Sequence, residues 1–295
     1  MHRRVNIEAY HPHELEFHTF GCAAHGPKVL ITAGIHGGEA TGIYAAKKLI
    51  RWLEGRELSG QVTVLPVGNP GGFRRGTRSG PFDDLDMNRV FPGSPTGSPT
   101  ERLAHAIWEE AEQSDFIVDL HCCGLFGSDY TLALHSEFSQ AAELAAKLDI
   151  PVVIESSGTR SQLFVEASHK GIPAVIIELA GGQFGADGGI VNRKSGENAY
   201  LAVSNLLIRL GLVEGEAPPA APVFYGKLQE VKVDGQGLWT PAVAPGETLT
   251  QGQVLGQFSK QDVLSPVTGV TTSVRPCSFR FPGDSVCMVA PLQEA

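Results

Sequence analysis

His36 and Glu39, three residues apart in the segment VLITAGIHGGEATGIYA (residues 29–45), have the types and spacing to share one metal ion. An imidazole and a carboxylate at that interval converge when the chain turns between them. A bound zinc needs a third protein ligand, and His121 in FIVDLHCC is the candidate. Two nitrogens and one carboxylate leave the fourth tetrahedral position to water, the arrangement of a catalytic rather than a structural zinc. Each residue also has a plainer explanation: the histidines as core or loop residues, and Glu39 as an acid favoured at a helix N-terminus by the dipole. HxxE alone would leave that explanation ahead. HxxE together with DLH, both at strand ends, moves the balance to metal.

The elements that must position these side chains follow from periodicity. Residues 29–35 form an apolar, β-rich run of the kind buried on both faces of a sheet. Gly37 and Gly38 are expected to make the turn that residues with a Cβ would resist. From Glu39 to Leu53 the pattern is helical, with Ile43, Ala46, Leu49, Ile50 and Leu53 on one face. Residues 116–120 are a second buried strand, delivering His121 at its carboxyl end, where open α/β sheets place their ligands. A third run, 61–68, ends at Asn69-Pro70 and opens a long Gly- and Pro-rich loop, a length that inside a compact domain points to function or disorder. Arg74, Arg75, Arg78 and Arg89 crowd this loop in an otherwise acidic chain, which suggests a pocket for an anionic substrate. The most apolar strand, in PAVIIELAGG from Pro173, carries Glu178 near its end. Buried there, its carboxyl would hold its proton more tightly, which suits a general base that later acts as an acid. The alternative is an acid paired with an arginine for structure alone. Asp119 reads equally as the carboxylate behind a metal-bound histidine or as one satisfied by loop amides.

Further expected elements are an edge strand at 14–22, a helix from a Ser98 N-cap to about residue 112, strands at 130–135 and 151–155, and helices at 137–148, 161–170 and 192–210. His135 is expected to be structural. The Pro- and Ala-rich stretch 214–222 marks a linker, and beyond it short β-like runs replace the helical period. The expected units are therefore 1–213, catalytic and α/β, and 223–295, a smaller β barrel or sandwich. The latter resembles lipoyl- and biotinyl-carrier domains, although Lys260 lacks the flanking residues of a carrier lysine.

At 295 residues and 42% hydrophobic content, the chain can build a sizeable core. Its net charge of -9 gives no basic footprint for nucleic acid. No segment has the length of a membrane span, and no signal peptide is visible behind MHRRVNIEAYH. Five cysteines, two of them adjacent at Cys122 and Cys123, do not read as a disulfide framework, so a reducing cytoplasm is the expected compartment. A thiolate role for that pair is opposed by the lack of CxxC-like spacing. Oligomeric state, a homo-oligomer included, is left open.

Taken in order, HGGE (36–39), NP (69–70), GTRS (76–79), DMNRVFPG (86–93), DLH (119–121) and IIELAG (176–181) make the chain resemble the zinc-dependent succinylglutamate desuccinylase and aspartoacylase family, within the carboxypeptidase-like zinc hydrolases. The resemblance implies an α/β fold with a mixed, mostly parallel sheet between helices, and a β domain leaning over the catalytic cleft, with Trp239 a candidate lining residue. It implies one Zn2+ per chain on His36, Glu39 and His121, with Asp86 orienting a zinc-bound histidine. Glu178 matches the catalytic glutamate, Arg78 the arginine that polarises the scissile carbonyl, and Asn88 with Arg89 the pair holding the substrate's α-carboxylate. Arg160 is the nearest match to an arginine contacting the acyl side, at longer spacing from Glu178 than expected. The expected activity is hydrolysis of the amide of a small anionic N-acyl amino acid. The alternatives are a metallocarboxypeptidase acting on peptides and a non-catalytic small-anion binding protein.

Overall fold

The computed structural model describes residues 1–7, 13–182 and 189–293. Nine strands make the large sheet: β1 (His2–Ile7), β2 (His13–Gly21), β3 (Lys28–Ala33), β4 (Gln61–Leu65), β5 (Phe116–Gly124), β6 (Tyr130–Ala133), β7 (Val152–Glu155), β8 (Ala174–Ala180) and β9 (Val223–Lys227). Their spatial order is β1-β2-β4-β3-β5-β8-β6-β7-β9. β4, β3, β5 and β8 run parallel, as do β6, β7 and β9, while β1–β2, β2–β4 and β6–β8 are antiparallel. The sheet is thus mixed and mostly parallel. The strand expected at the edge, β2, is instead covered by β1, and it pairs with β4 rather than with β3.

Helices α1 (Ala40–Leu53), α2 (Pro70–Arg75), α3 (Pro99–Ala111), α4 (Ser139–Ala145), α5 (Leu163–His169) and α6 (Arg193–Arg209) complete this part of the chain. Because side chains alternate across a strand, each central strand feeds two cores. Val29, Ile31, Val118, Leu120, Val175 and Ile177 pack with residues of α1, α4 and α6. Leu30, Ile117 and Ile176 pack with residues of α3 and α5. Burial on both faces is the reason these strands read as unbroken apolar runs, and each fully buried Leu or Ile contributes about 1.5–3 kcal/mol. The α1 face foreseen from its period, Ile43, Ala46, Leu49, Ile50 and Leu53, is buried as expected. At the start of α3, Ser98 and Glu101 form a reciprocal capping box with Pro99 in the first turn.

Past the linker, β9 hydrogen-bonds to β7, so the change of sheet falls after Lys227 and not at residue 223. The edge of β7 needs a partner for its backbone groups, and the returning chain supplies it. Then come β10 (Gln229–Lys232), β11 (Gly237–Pro241), β12 (Thr248–Leu249), β13 (Val254–Phe258), β14 (Gln261–Leu264), β15 (Gly269–Val274), β16 (Ser278–Arg280) and β17 (Ser285–Pro291). They form two four-stranded antiparallel sheets, β10-β17-β15-β12 and β14-β13-β11-β16, around Trp239, Leu249, Leu255, Val286 and Val289. Trp239 is fully buried there and donates its Nε1–H to the Arg275 carbonyl at 2.9 Å, so it is a core residue and not the cleft residue expected. Ser259 and Lys260 form the two-residue connection between β13 and β14.

The β unit is anchored beside the carboxyl end of β5. Gly127 bridges to Ser273, and the Ser128 N–H donates to the Thr272 carbonyl. Tyr130, Ile154, Tyr225, Val270 and Ala290 form an apolar cluster shared between the large sheet and the β unit. His135 is structural, as expected: its Nδ1 lies 3.2 Å from Glu155 and its Nε2 3.2 Å from the Tyr225 carbonyl.

Candidate active site

Beyond β3 the chain turns at Gly34, whose φ of +64 lies in the left-handed region. Gly37 and Gly38 make the expected turn, closed by the Glu39 N–H donating to the His36 carbonyl at 3.2 Å, although neither needs a positive φ for it. Gly37 is also required by a close approach: a Cβ there would lie 1.9 Å from the carbonyl carbon of Gly72 in α2. Asn69 caps α2 by accepting from the Gly72 N–H at 2.8 Å, and the Gly37 N–H donates to the Thr77 carbonyl at 2.9 Å. The HGGE corner and the arginine loop are thereby locked to each other.

Strand register supplies the other half of the site. In the β5–β8 pairing His121 stands opposite Glu178, and in the β6–β8 pairing Tyr130 stands opposite the same residue. Their neighbours Leu120 and Ile177 point to the α1 side. Alternation then sends Asp119, His121, Glu178 and Tyr130 to the opposite face, side by side at the strand ends.

His36, Glu39 and His121 are buried, and one ligand atom from each lies within 4.8 Å of the others. Glu39 sits between the imidazoles, with His36 Nδ1 2.9 Å from Oε1 and His121 Nδ1 2.9 Å from Oε2. Glu39 Oε2 also accepts from the Cys122 N–H at 3.0 Å. Each imidazole has a carboxylate behind it: His36 Nε2 is 2.9 Å from Asp86 Oδ1, and His121 Nε2 is 2.7 Å from Asp119 Oδ2. Asp119 is itself held by the Thr32 hydroxyl at 2.7 Å. Both rings therefore turn the same nitrogen inward, which is how metal-binding histidines are oriented. Of the two readings of Asp119, the geometry matches the carboxylate behind the histidine.

The electrostatics match this donor set. Burial alone would lower the proton affinity of His121, but Asp119 and Glu39 outweigh it and hold the pKa well above that of a free imidazole; Glu39 and Asp86 do the same, less strongly, for His36. Burial alone would raise Glu39, yet the two imidazoles hold it below the usual carboxylate range. Three acids around two imidazoles thus favour positive charge at their centre, and two nitrogens with one carboxylate suit a divalent ion such as zinc.

A cavity of about 440 Å³ opens on this cluster. Arg78 lines it, its Nε donating to Asp86 Oδ2 at 2.9 Å and its Nη1 3.9 Å from Glu39 Oε1, which leaves Nη2 for another partner. Asn88 lines it too, and its side-chain oxygen accepts from the Leu163 N–H at 3.0 Å, so the amide NH2 is the end left for the cavity. Arg89 lies beside it, with one Nη bonded to the Asn88 carbonyl. Across the cavity, burial and the Glu39 charge push the Glu178 carboxyl up to about 7, with the His121 and His36 charges opposing.

Arg160 is the exception. It is absent from the cavity lining and forms a bidentate pair with Glu166 at 2.7 and 2.6 Å, its side chain 63% exposed. The α5 N-terminus that expectation pointed to contributes Gln162 instead. Arg74 and Arg75 are exposed, the latter with its guanidinium over the Phe82 ring. Cys122 and Cys123 line the cavity, but burial raises both thiols far above their ordinary value, which opposes a thiolate role. Tyr130, Leu132, Gln162, Ile176 and Leu228 were not foreseen as lining residues. Alternation along β6 and β8 would have found Tyr130, Leu132 and Ile176 once the strand order was known; Gln162 and Leu228 lie in connections that carry no periodic signal.

The profile of the succinylglutamate desuccinylase/aspartoacylase catalytic domain matches residues 25–207. The chain is 29% identical over 293 residues to an N-alpha-acetyl-L-2,4-diaminobutyric acid deacetylase of Halomonas elongata, covering 92% of this chain and 84% of that one. It is 35% identical over 117 residues to a succinylglutamate desuccinylase of Pseudomonas paraeruginosa, covering 36% and 34%. Among solved structures, a succinylglutamate desuccinylase/aspartoacylase from Rhodobacter sphaeroides aligns with a TM-score of 0.81 at 23% identity over 99% of this chain and 96% of that one. The product-bound ectoine utilization protein EutE (DoeB) from Ruegeria pomeroyi aligns at 0.80 and 21%, over 99% and 95%. At such identities the structural likeness speaks to the fold, while the profile spans most of the α/β part that carries HGGE, DLH and IIELAG: the chain belongs to the succinylglutamate desuccinylase/aspartoacylase family.

Proposed function

We propose that this protein is a zinc-dependent hydrolase that cleaves the amide bond of a small N-acyl amino acid. The observation that carries the reading is the convergence of His36, Glu39 and His121 within 4.8 Å, with Glu178 in register beside His121 on the same face of the sheet. The His36 and His121 Nδ1 atoms and the Glu39 carboxylate would hold the ion, backed by Asp86 and Asp119. When bound, zinc supplies Lewis acidity at the scissile carbonyl and lowers the proton affinity of the attacking water.

The side chains do the rest. Glu178, whose carboxyl is pushed up to about 7, takes the proton of the water as it attacks and delivers it to the departing amine nitrogen. The Nη2 group of Arg78 donates to the carbonyl oxygen as it gains charge. Arg89 and the Asn88 amide hold the α-carboxylate, fixing the scissile bond over Glu178. The cavity volume of about 440 Å³ suits a ligand of this size, and Leu228, from the connection between β9 and β10, is part of its lining.

A panel of N-acetyl, N-succinyl and N-formyl amino acids and short peptides, assayed with zinc and then with chelator, tests the reading. Hydrolysis of one or more acyl amino acids that stops on chelation and returns with zinc is expected. Turnover that ignores chelation, or confined to peptides, would refute it.

A further inference from the structure

Across the large sheet the site has an order. His36 and Glu39 follow the end of β3, His121 lies on β5, Glu178 on β8, and Tyr130 opens β6 on the far side. Tyr130 is the antiparallel partner of Glu178, as His121 is its parallel partner, so the three share one row and one face. Opposed residues in an antiparallel pair have Cβ atoms about 4.5–5.5 Å apart, close enough for their side chains to interact. The metal-binding side chains thus stand on one flank of Glu178 and a phenol on the other.

Tyr130 is 7% exposed and lines the cavity. A buried tyrosine usually gives its hydroxyl a partner, since a polar group left unpaired is costly. This one has none among the described residues, and its oxygen is not sealed from solvent, so it opens on the cavity. Neighbouring polar groups of the lining are committed: the Arg78 Nε to Asp86, the Asn88 side-chain oxygen to the Leu163 N–H, and the Cys123 thiol to the Ser128 and Leu179 carbonyls. Burial and then the Glu178 charge hold the phenol well above its ordinary pKa, so at neutral pH it is an uncharged group able both to donate and to accept. The ring is held from the β unit: Tyr130 packs in one cluster with Val270 of β15 and Ala290 of β17, beside Ile154 and Tyr225.

Resting on the deacylase reading above, we infer that Tyr130 is a substrate-contacting residue: its hydroxyl hydrogen-bonds the amide held beside Glu178, and Val270 and Ala290 of the β unit set that contact by holding the ring. An amide that reaches from the metal-binding side chains to Glu178 fills the space in front of this row. The phenol then meets the polar partner that the protein itself does not supply. Among the described residues none beyond Leu228 lines the cavity, so the β unit acts on the substrate through this ring and not by a side chain of its own.

The test uses Tyr130→Phe, which removes the hydroxyl and keeps the ring, and the N-acyl amino acid of the panel above that Glu178→Gln protein binds most tightly. Its dissociation constant is measured by calorimetry on Glu178→Gln with and without Tyr130→Phe, and its kcat/KM on the wild type and Tyr130→Phe, with zinc content recorded. Loss of one neutral hydrogen bond should weaken binding by about three- to tenfold and lower kcat/KM at least as much, at unchanged zinc. Val270→Ala, or Ala290→Gly if that variant does not fold, should bring kcat/KM toward that of Tyr130→Phe, yet change Tyr130→Phe itself by no more than about twofold. Val286→Ala, the same truncation in the core around Trp239, should leave kcat/KM within about twofold of wild type. A Tyr130→Phe variant equal to its parent in both binding and turnover overturns the inference. So do packing variants that leave kcat/KM unmoved, or whose loss is as large without the hydroxyl as with it. Weakened binding in Tyr130→Phe, with no turnover of any panel member by the wild type, would sink the hydrolase reading and leave the contact standing; hydrolysis untouched by Tyr130→Phe would do the reverse.

Discussion

His121 and Glu178 are placed by strand register, whereas Arg78, Asn88, Arg89 and Gln162 are placed by connections that reach the same cavity from the side. The first pair sits on central strands buried on both faces, and its supports are buried too: Asp119 is fully buried and bonded to Thr32 at 2.7 Å from the neighbouring strand. The second group is held by hydrogen bonds between connections, such as Gly37 to Thr77, Phe91 to Ser161 and Leu163 to Asn88. The difference assigns labour. On the proposed function, His121 and Glu178 are built into the sheet, His36 and Glu39 follow directly from the end of β3, and the groups that would select the ligand are carried by loops, which can vary without disturbing the core.

The sharpest way to break this comparison is at Glu178. Glu178→Gln should lower kcat by about 100- to 10,000-fold while zinc content stays at one ion per chain, measured by steady-state kinetics and metal analysis. Because the native carboxyl titrates near 7, it is the free base above that pH and gains a proton as pH falls. The wild-type kcat/KM should therefore decline below about pH 7, and that acid limb should be absent from the residual rate of the variant. A variant of near-normal rate would end the acid–base role.

The two carboxylates behind the histidines sharpen the comparison further. Asp119→Ala should weaken zinc affinity by about 10- to 100-fold, read by competition with a chelator. Asp86→Ala should cost affinity in the same range, but it also frees Arg78, so kcat at saturating zinc should fall in this variant and much less in Asp119→Ala. Equal kcat losses at full zinc occupancy would mean that Arg78 does not depend on Asp86.

Smallest are the loop arginines. Arg89→Ala should raise KM by about tenfold or more with a lesser change in kcat, the signature of a lost ground-state contact worth about 1.5–3 kcal/mol. Arg160→Ala should leave both constants within about twofold, since its guanidinium is exposed and committed to Glu166.

How much of this was legible in the sequence divides along the same line. Runs such as FIVDL and AVIIEL announce central strands, and a strand end next to a His or Glu locates the chemistry, because register and alternation obey a fixed period. No such period governs loops. The crowding of arginines marks the loop, but only resemblance singles out Arg78, Asn88 and Arg89 within it, and the segment TRSQ gives no sign that Arg160 leaves the cavity while Gln162, two residues on, enters it. That choice is made by the α5 N-terminus and by the Glu166 partner, both set by tertiary packing. Residues 223–227, expected in the β unit, complete the large sheet for a related reason: the linker composition marks where the chain becomes irregular, but not which sheet edge the next strand will complete.

The most direct test of the central claim is a zinc titration of chelator-treated protein, following hydrolysis of an N-acyl amino acid together with bound metal. Activity should rise linearly and break at one zinc per chain, and His121→Ala should neither bind zinc at that stoichiometry nor recover activity. Full turnover before any zinc is added, or an unchanged break in His121→Ala, would contradict it.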